Sequence, residues 1–252
     1  MVRFIVCLIL LGTIGQFVRG EAQTTTDFSR EAKEILERKV SNKEELKQYL
    51  KSLGPEKVYI LAIEAAKREP EAAGWILAYG GLSDWKNTPL SFVESYLYFN
   101  KFKENIPENF KKWEKEGIDG YIKEPKERGG MALEQELSTI DVGIKFVKNQ
   151  EYPAENRTII IQFLWEVWSG FFPRIERMEN KSEVYEKMNQ QSLSIIGTLN
   201  TVRTDAKLSE KADKVLRNFQ EHYLKKDLPA EFLQSPSISD VREKIIQSMK
   251  KD

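Results

Sequence analysis

Cysteine is nearly absent from this chain: among 252 residues only Cys7 carries a thiol. Histidine is as scarce, with His222 alone. Those two shortages argue against a transition-metal site, which draws on thiolate and imidazole ligands. Charge of one sign is missing too, since 39 basic side chains balance 39 acidic ones. Nucleic-acid binding as a main role is therefore not expected, because phosphate contacts draw on a basic excess. Long apolar runs are also missing. The two densest, 4–14 and 159–173, fall short of the roughly 20 residues a bilayer-crossing helix needs.

The first twenty residues have the three parts of a secretory signal. Arg3 supplies a positive start, Phe4 to Ile14 (FIVCLILLGTI) is free of charge, and Gly15 to Gly20 (GQFVRG) is less apolar, with Val18 and Gly20 at the peptidase positions. Cleavage is expected between Gly20 and Glu21, with cleavage after Ala22 as the alternative; retention as an uncleaved anchor is the competing reading. Removal of residues 1–20 takes away Arg3, Arg19 and no acid, leaving 37 basic and 39 acidic side chains, a net charge of −2. It also takes away the only cysteine. The mature chain is thus expected in a periplasmic or secreted location, with no stable membrane insertion and no disulfide to hold it. Its stability must come from a packed core, for which about 230 residues suffice.

Helical spacing dominates the remainder. Phe28, Ala32, Ile35, Leu36 and Val40 form one stripe, and Leu46, Tyr49, Leu50 and Leu53 another. Ser41 and Glu44 between them match the S-x-x-E capping box. Gly54-Pro55 is the expected stop and start of successive helices. The segment 55–68 is apolar on more than one face and predicts an interior helix. Further helices are expected from Pro70 to Tyr79, from Thr88-Pro89 to Lys103, and from Pro107 to Glu116. Residues 117–130 (GIDGYIKEPKERGG) concentrate glycine, proline and charge and predict a loop. If there are two lobes, that loop divides 21–116 from 131–252. Beyond it, Leu133, Leu137, Ile140, Ile144 and Val147 trace a helical seam. Pro153 opens a long apolar helix, followed by helices near 183–203, 206–226 and after Pro229 and Ser237. Thr158 to Ile161 and Val58 to Ile60 are β-prone in isolation, but both sit within longer helical segments. Acid-before-base pairs four apart, such as Glu64–Arg68 and Asp213–Arg217, mark solvated faces. The expected fold is all-α. Some ten to twelve helices would form an irregular bundle or an α-solenoid-like array of helical hairpins.

Chemistry-bearing patterns are few. Glu94-Ser95, in SFVESYLYF, resembles the Glu-Ser pair of lytic transglycosylases, helical envelope enzymes in which a lone glutamic acid cleaves peptidoglycan glycosidic bonds. The resemblance implies Glu94 as a general acid in a pocket of Phe92, Tyr96, Tyr98 and Phe99. It ends there, because Asn100-Lys101-Phe102-Lys103 stands where that family carries Gly-Leu-Met-Gln, and membership is not claimed. His222 lacks a G-x-S-x-G partner, since Ser169-Gly170 has no preceding glycine. Asp119-Gly120 lacks the neighbouring acids of a Ca²⁺ loop. Gly129-Gly130 precedes a helix without a phosphate-binding motif. Asn156-Arg157-Thr158 and Asn180-Lys181-Ser182 match the glycosylation pattern. No catalytic, cofactor-binding or metal residue is therefore assigned, and no cofactor is expected.

The densest feature is 159–173, IIIQFLWEVWSGFFP. Its first reading is a central core helix. Its second is a protein-binding surface formed by Trp165, Trp168, Phe171 and Phe172, because Trp is over-represented in binding hot spots. Trp75, Tyr79 and Trp85 around Gly80-Gly81 form a smaller aromatic group. The function expected is an exported, non-enzymatic helical binding or interaction module of the envelope or extracellular space, with an unknown protein partner. The alternatives are a carboxylate-based extracytoplasmic hydrolase acting on glycan, and a protein binding a small apolar ligand.

Overall fold

The computed structural model describes residues 25–38, 42–82, 88–122, 132–175, 178, 180–225 and 228–249. Gly20 and Glu21, with the whole leader, lie outside them. Twelve helices and no strand are found among the described residues. The chain is all-α, as the periodicity predicts. It divides into two compact units, Met1–Gly81 and Leu82–Asp252.

The first unit holds α1 (Thr25–Arg38), α2 (Lys43–Ser52), α3 (Pro55–Ala66) and α4 (Ala72–Gly80). Helix α3 is its interior member, packed by α1, α2 and α4. Val58, Tyr59, Leu61, Ala62, Ile63, Ala65 and Ala66 are all buried on it, as expected for a helix apolar on several faces. The cap of α2 falls one residue later than the S-x-x-E pattern suggests. Ser41 is outside the described residues, and Asn42 is the N-cap: its side chain accepts from the Glu45 amide at 3.3 Å and donates to the Glu45 carboxylate at 2.8 Å. The same reciprocal logic works with an Asn–Glu pair. Gly54 at φ 80° and Gly81 at φ 84° take left-handed backbone positions at which a side chain would be strained. Gly81 thereby terminates α4.

The second unit comprises α5 (Pro89–Phe102), α6 (Glu108–Ile122), α7 (Ala132–Lys148), α8 (Ala154–Ile175), α9 (Lys181–Val202), α10 (Ser209–Tyr223), the single turn α11 (Ala230–Leu233) and α12 (Ile238–Met249). Helix α8 is contacted by α5, α6, α7, α9 and α10. Ile160, Ile161, Phe163, Leu164, Val167, Trp168, Phe171 and Ile175 are buried along it, so 159–173 is the core helix of this unit. Helix beats strand at Thr158 to Ile161 because partners on several sides reward a cylinder that is apolar nearly all round. The Thr158 hydroxyl donates back to the Ala154 carbonyl at 2.8 Å.

Residues 117–122 are not the loop that their glycines suggest. They continue α6, because Ile118 and Ile122 fall one turn apart and are both buried. Arg174 donates to the Ile122 carbonyl at 3.3 Å. A Cβ at Gly170 would come within 2.8 Å of that same carbonyl oxygen, so glycine there lets α6 and α8 approach. Burial of two isoleucines outweighs the cost of about 1 kcal/mol for each glycine in a helix. Residues 123–131 lie outside the description.

Helices α9, α10 and α12 close the unit. The Arg203 guanidinium, at the end of α9, pairs with Asp213 of α10 at 3.0 Å and donates to the Ser248 carbonyl of α12 at 2.8 Å. Asp213 therefore answers a distant arginine, where sequence spacing suggests Arg217. Glu64 similarly pairs with Lys67, and Arg68 donates to the Glu64 backbone carbonyl at 3.2 Å. No described helix is long and apolar enough to cross a membrane.

Candidate functional site

The aromatic residues of α8 part company. Trp168 is 0% exposed and Phe171 is buried, whereas Trp165 and Phe172 are half-buried. The Trp168 indole N–H donates to the Met188 carbonyl on α9 at 3.1 Å, which satisfies the one polar atom such a ring must bring into a core. Around it, Trp165 stacks at 5.7 Å and Phe219 lies at 4.9 Å between centroids. Trp168 and Phe171 are thus enclosed in packing, while Trp165 and Phe172 keep part of their surface exposed.

His222 sits inside this cluster. Its ring meets Phe172 edge-on at 4.6 Å and Trp168 at 4.9 Å, with Phe232 of α11 at 6.0 Å. The sole histidine therefore joins α10 to α8 and α11 through ring contacts. Beside it, the buried Tyr223 hydroxyl bonds Asn189 Oδ1 at 2.6 Å and Ser192 Oγ at 2.8 Å. Burial pushes the Tyr223 phenol up from its usual range.

Glu94 lies half-buried on α5, and burial pushes its carboxyl up to about 6. The aromatic pocket that its neighbours suggest takes a different form. Phe92 and Tyr96 turn toward Phe163 of α8, at 5.7 and 5.0 Å. The Tyr96 hydroxyl donates to Glu166 at 2.6 Å, and Gln162 donates to the other carboxylate oxygen at 3.1 Å. Burial, then the Glu166 charge, raises the Tyr96 phenol. Ser95 is fully buried and donates to the Leu82 carbonyl. It is a structural hydroxyl rather than a partner for Glu94.

The first unit carries a concave surface. A cleft of about 440 Å³ opens between α1 and α2, lined by Glu31, Glu34 and Ile35 from one helix and Asn42, Glu45, Leu46 and Tyr49 from the other. Ile35 and Leu46 are buried and form its floor. Tyr49, which the stripe assigns to the core, is 40% exposed and donates its hydroxyl to Glu31. A phenol with a polar tip can stand in such a wall at little cost, where a leucine would be drawn inward. Periodicity could not locate this cleft, because its acids look like ordinary solvated positions until α1 and α2 are placed side by side. Nearby, Trp75 and Tyr79 lie 5.5 Å apart, with the Lys43 and Lys47 ammonium groups 5.7 and 5.5 Å from the Tyr79 ring. Trp85 and Gly129-Gly130 are outside the described residues. Asp119-Gly120 lies within α6, and Ser169 donates to the Glu166 carbonyl at 3.3 Å within α8.

A half-buried carboxylate on α9 forms a clamp. Glu186 accepts from the hydroxyls of Ser235 and Ser237, from the Ser237 amide at 3.1 Å and from Gln190 at 2.9 Å. Burial opposes its charge, but these four bonds outweigh it and hold the carboxyl down to about 2. The clamp fixes the residues just before α12. Its partners lie 49 and 51 positions away, and no local pattern announces them.

No family model, curated protein or solved structure matches this chain.

Proposed function

We propose that the chain is an exported helical binding module whose α1–α2 cleft engages a polypeptide presenting a basic side chain next to an apolar one. The cleft carries this reading. It combines an apolar floor, an exposed ring and three carboxylates within a volume typical of a ligand site, which runs about 300–1,000 Å³. The leader-like first twenty residues support export. Arrayed peptides alternating Lys or Arg with Leu or Ile, titrated against the mature protein by calorimetry, test the reading. Binding that weakens at least about tenfold, or 1.4 kcal/mol, in the Glu34→Gln/Glu45→Gln variant is expected. Absence of binding, or indifference to both substitutions, refutes it. N-terminal sequencing of the protein from the medium or envelope fraction checks export, with Glu21 or Gln23 expected first.

A second reading, a glycan hydrolase, draws on Glu94, whose carboxyl at about 6 suits proton donation near neutrality. Zymography on cell-wall material with wild type and Glu94→Gln decides it. Activity lost in the variant supports the hydrolase; equal or absent activity in both removes it.

A further inference from the structure

Two Asn-x-Ser/Thr sequences occur in the second unit, and the fold treats them oppositely. Asn156 is 4% exposed in the first turn of α8, and its side-chain oxygen is enclosed without a hydrogen-bond partner among the described residues. Its two neighbours are committed as well. Arg157 is buried, donating to the Val147 carbonyl at 2.8 Å and pairing with Asp205 at 3.4 Å. Thr158 donates to Ala154 at 2.8 Å. A sugar on the Asn156 nitrogen has nowhere to go unless the start of α8 leaves the core.

Asn180 stands at the other extreme. It is exposed and precedes α9 with φ −94° and ψ 47°, and its side chain makes no capping hydrogen bond to the helix. Ser182, two residues on, is also exposed. Lys181, Ser182, Glu183 and Glu231 surround Asn180 in an open depression of about 410 Å³ whose rim is polar. A hydrated saccharide suits such a surface, and the side chain gives up no helix-capping bond to accept it.

We propose that Asn180 is an N-glycan acceptor in the exported chain and that the folded protein carries no glycan at Asn156. The inference rests on the export reading, since only a translocated chain meets the modifying enzyme. The donor is a polyisoprenoid-pyrophosphate-linked oligosaccharide in the secretory compartment. The Asn180 amide nitrogen attacks the anomeric carbon of the first sugar, and the bond from that carbon to the pyrophosphate oxygen breaks. An N-glycosidic bond forms, the lipid pyrophosphate leaves with the bonding electron pair, and a base of the transferase takes the amide proton. No oxidant or reductant is involved.

The full chain is secreted from a eukaryotic cell line in two arms, one with its own leader and one with a host leader. The medium is then analysed by electrophoresis and peptide mapping with and without peptide-N-glycosidase. One deglycosylation step is expected in wild type, mapped to Asn180. It disappears in Asn180→Gln and Ser182→Ala, and persists in Ser182→Thr and in Thr158→Ala, which removes the other sequence without touching Asn156. Secreted protein with Asn180 unmodified, or with a glycan mapped to Asn156, overturns the inference. Secretion from the host leader only overturns the export reading, and the use of the site with it. Asn180 left bare in both arms while secretion succeeds overturns the site alone.

Discussion

Replacement of Glu186 by Gln should cost about 1–2 kcal/mol, and that cost should vanish in acid. Glu186 receives four donors: two hydroxyls and one amide from Ser235 and Ser237, and the Gln190 side chain. The Gln variant keeps one acceptor oxygen and turns the other into a donor that faces donors. Losing one or two charge-assisted bonds worth about 1.5–3 kcal/mol each sets the upper range. Linkage supplies an independent bound. The carboxyl falls from 4.5 to about 2 in the folded state, which at about 1.4 kcal/mol per unit would exceed 3 kcal/mol. Because the group is half-exposed, solvent screening reduces that to about 1–2 kcal/mol. The sign follows from a depressed folded pKa: the stabilisation is complete above about 4.5 and is lost as pH falls toward about 2. Melting followed by circular dichroism should place the variant about 2–6 °C below wild type at neutral pH, with the gap closing near pH 2. Hydrogen exchange should also quicken across 235–249, where Val241, Ile245 and the Arg203 bond to the Ser248 carbonyl would still hold α12. A variant that melts with wild type, or a gap that does not change with pH, would refute the clamp.

Three further outcomes follow. Trp168→Ala should destabilise the fold by about 3–5 kcal/mol in urea unfolding, and Trp165→Ala by clearly less, since only the former ring is fully buried and bonded to Met188; equal losses would contradict the division of roles along α8. Glu94→Gln should raise stability at neutral pH by about 1 kcal/mol after discounting for exposure. A carboxyl raised from 4.5 to about 6 opposes folding above about 6 and is relieved as pH falls, so the wild-type stability slope between those values should flatten in the variant. Gly170→Val should cost about 1–3 kcal/mol, because its Cβ would meet the Ile122 carbonyl oxygen at 2.8 Å; an unperturbed melt would show that α6 does not pack as described.

Class and most helices were legible in the sequence because they depend on local periodicity. The 3.6-residue recurrence of apolar side chains, Gly54-Pro55 and Thr88-Pro89 are short-range signals, and helix bonds are short-range too. The same physics marked α8 as a core helix, since a segment apolar nearly all round must be enclosed. Local signals misled where tertiary burial overrode them. The glycines of 117–122 look like a loop until Ile118 and Ile122 find α8. Tyr49 looks like core until α1 and α2 leave its ring at the edge of a cleft. Cysteine, histidine and charge bounded what the chain could do because composition needs no fold to be read. The clamp at Glu186, the cage around His222 and the contrast between Asn156 and Asn180 arise from residues tens of positions apart, or from burial that spacing does not encode. Those belong to the tertiary structure, which alone decides which identical motif faces water and which is sealed.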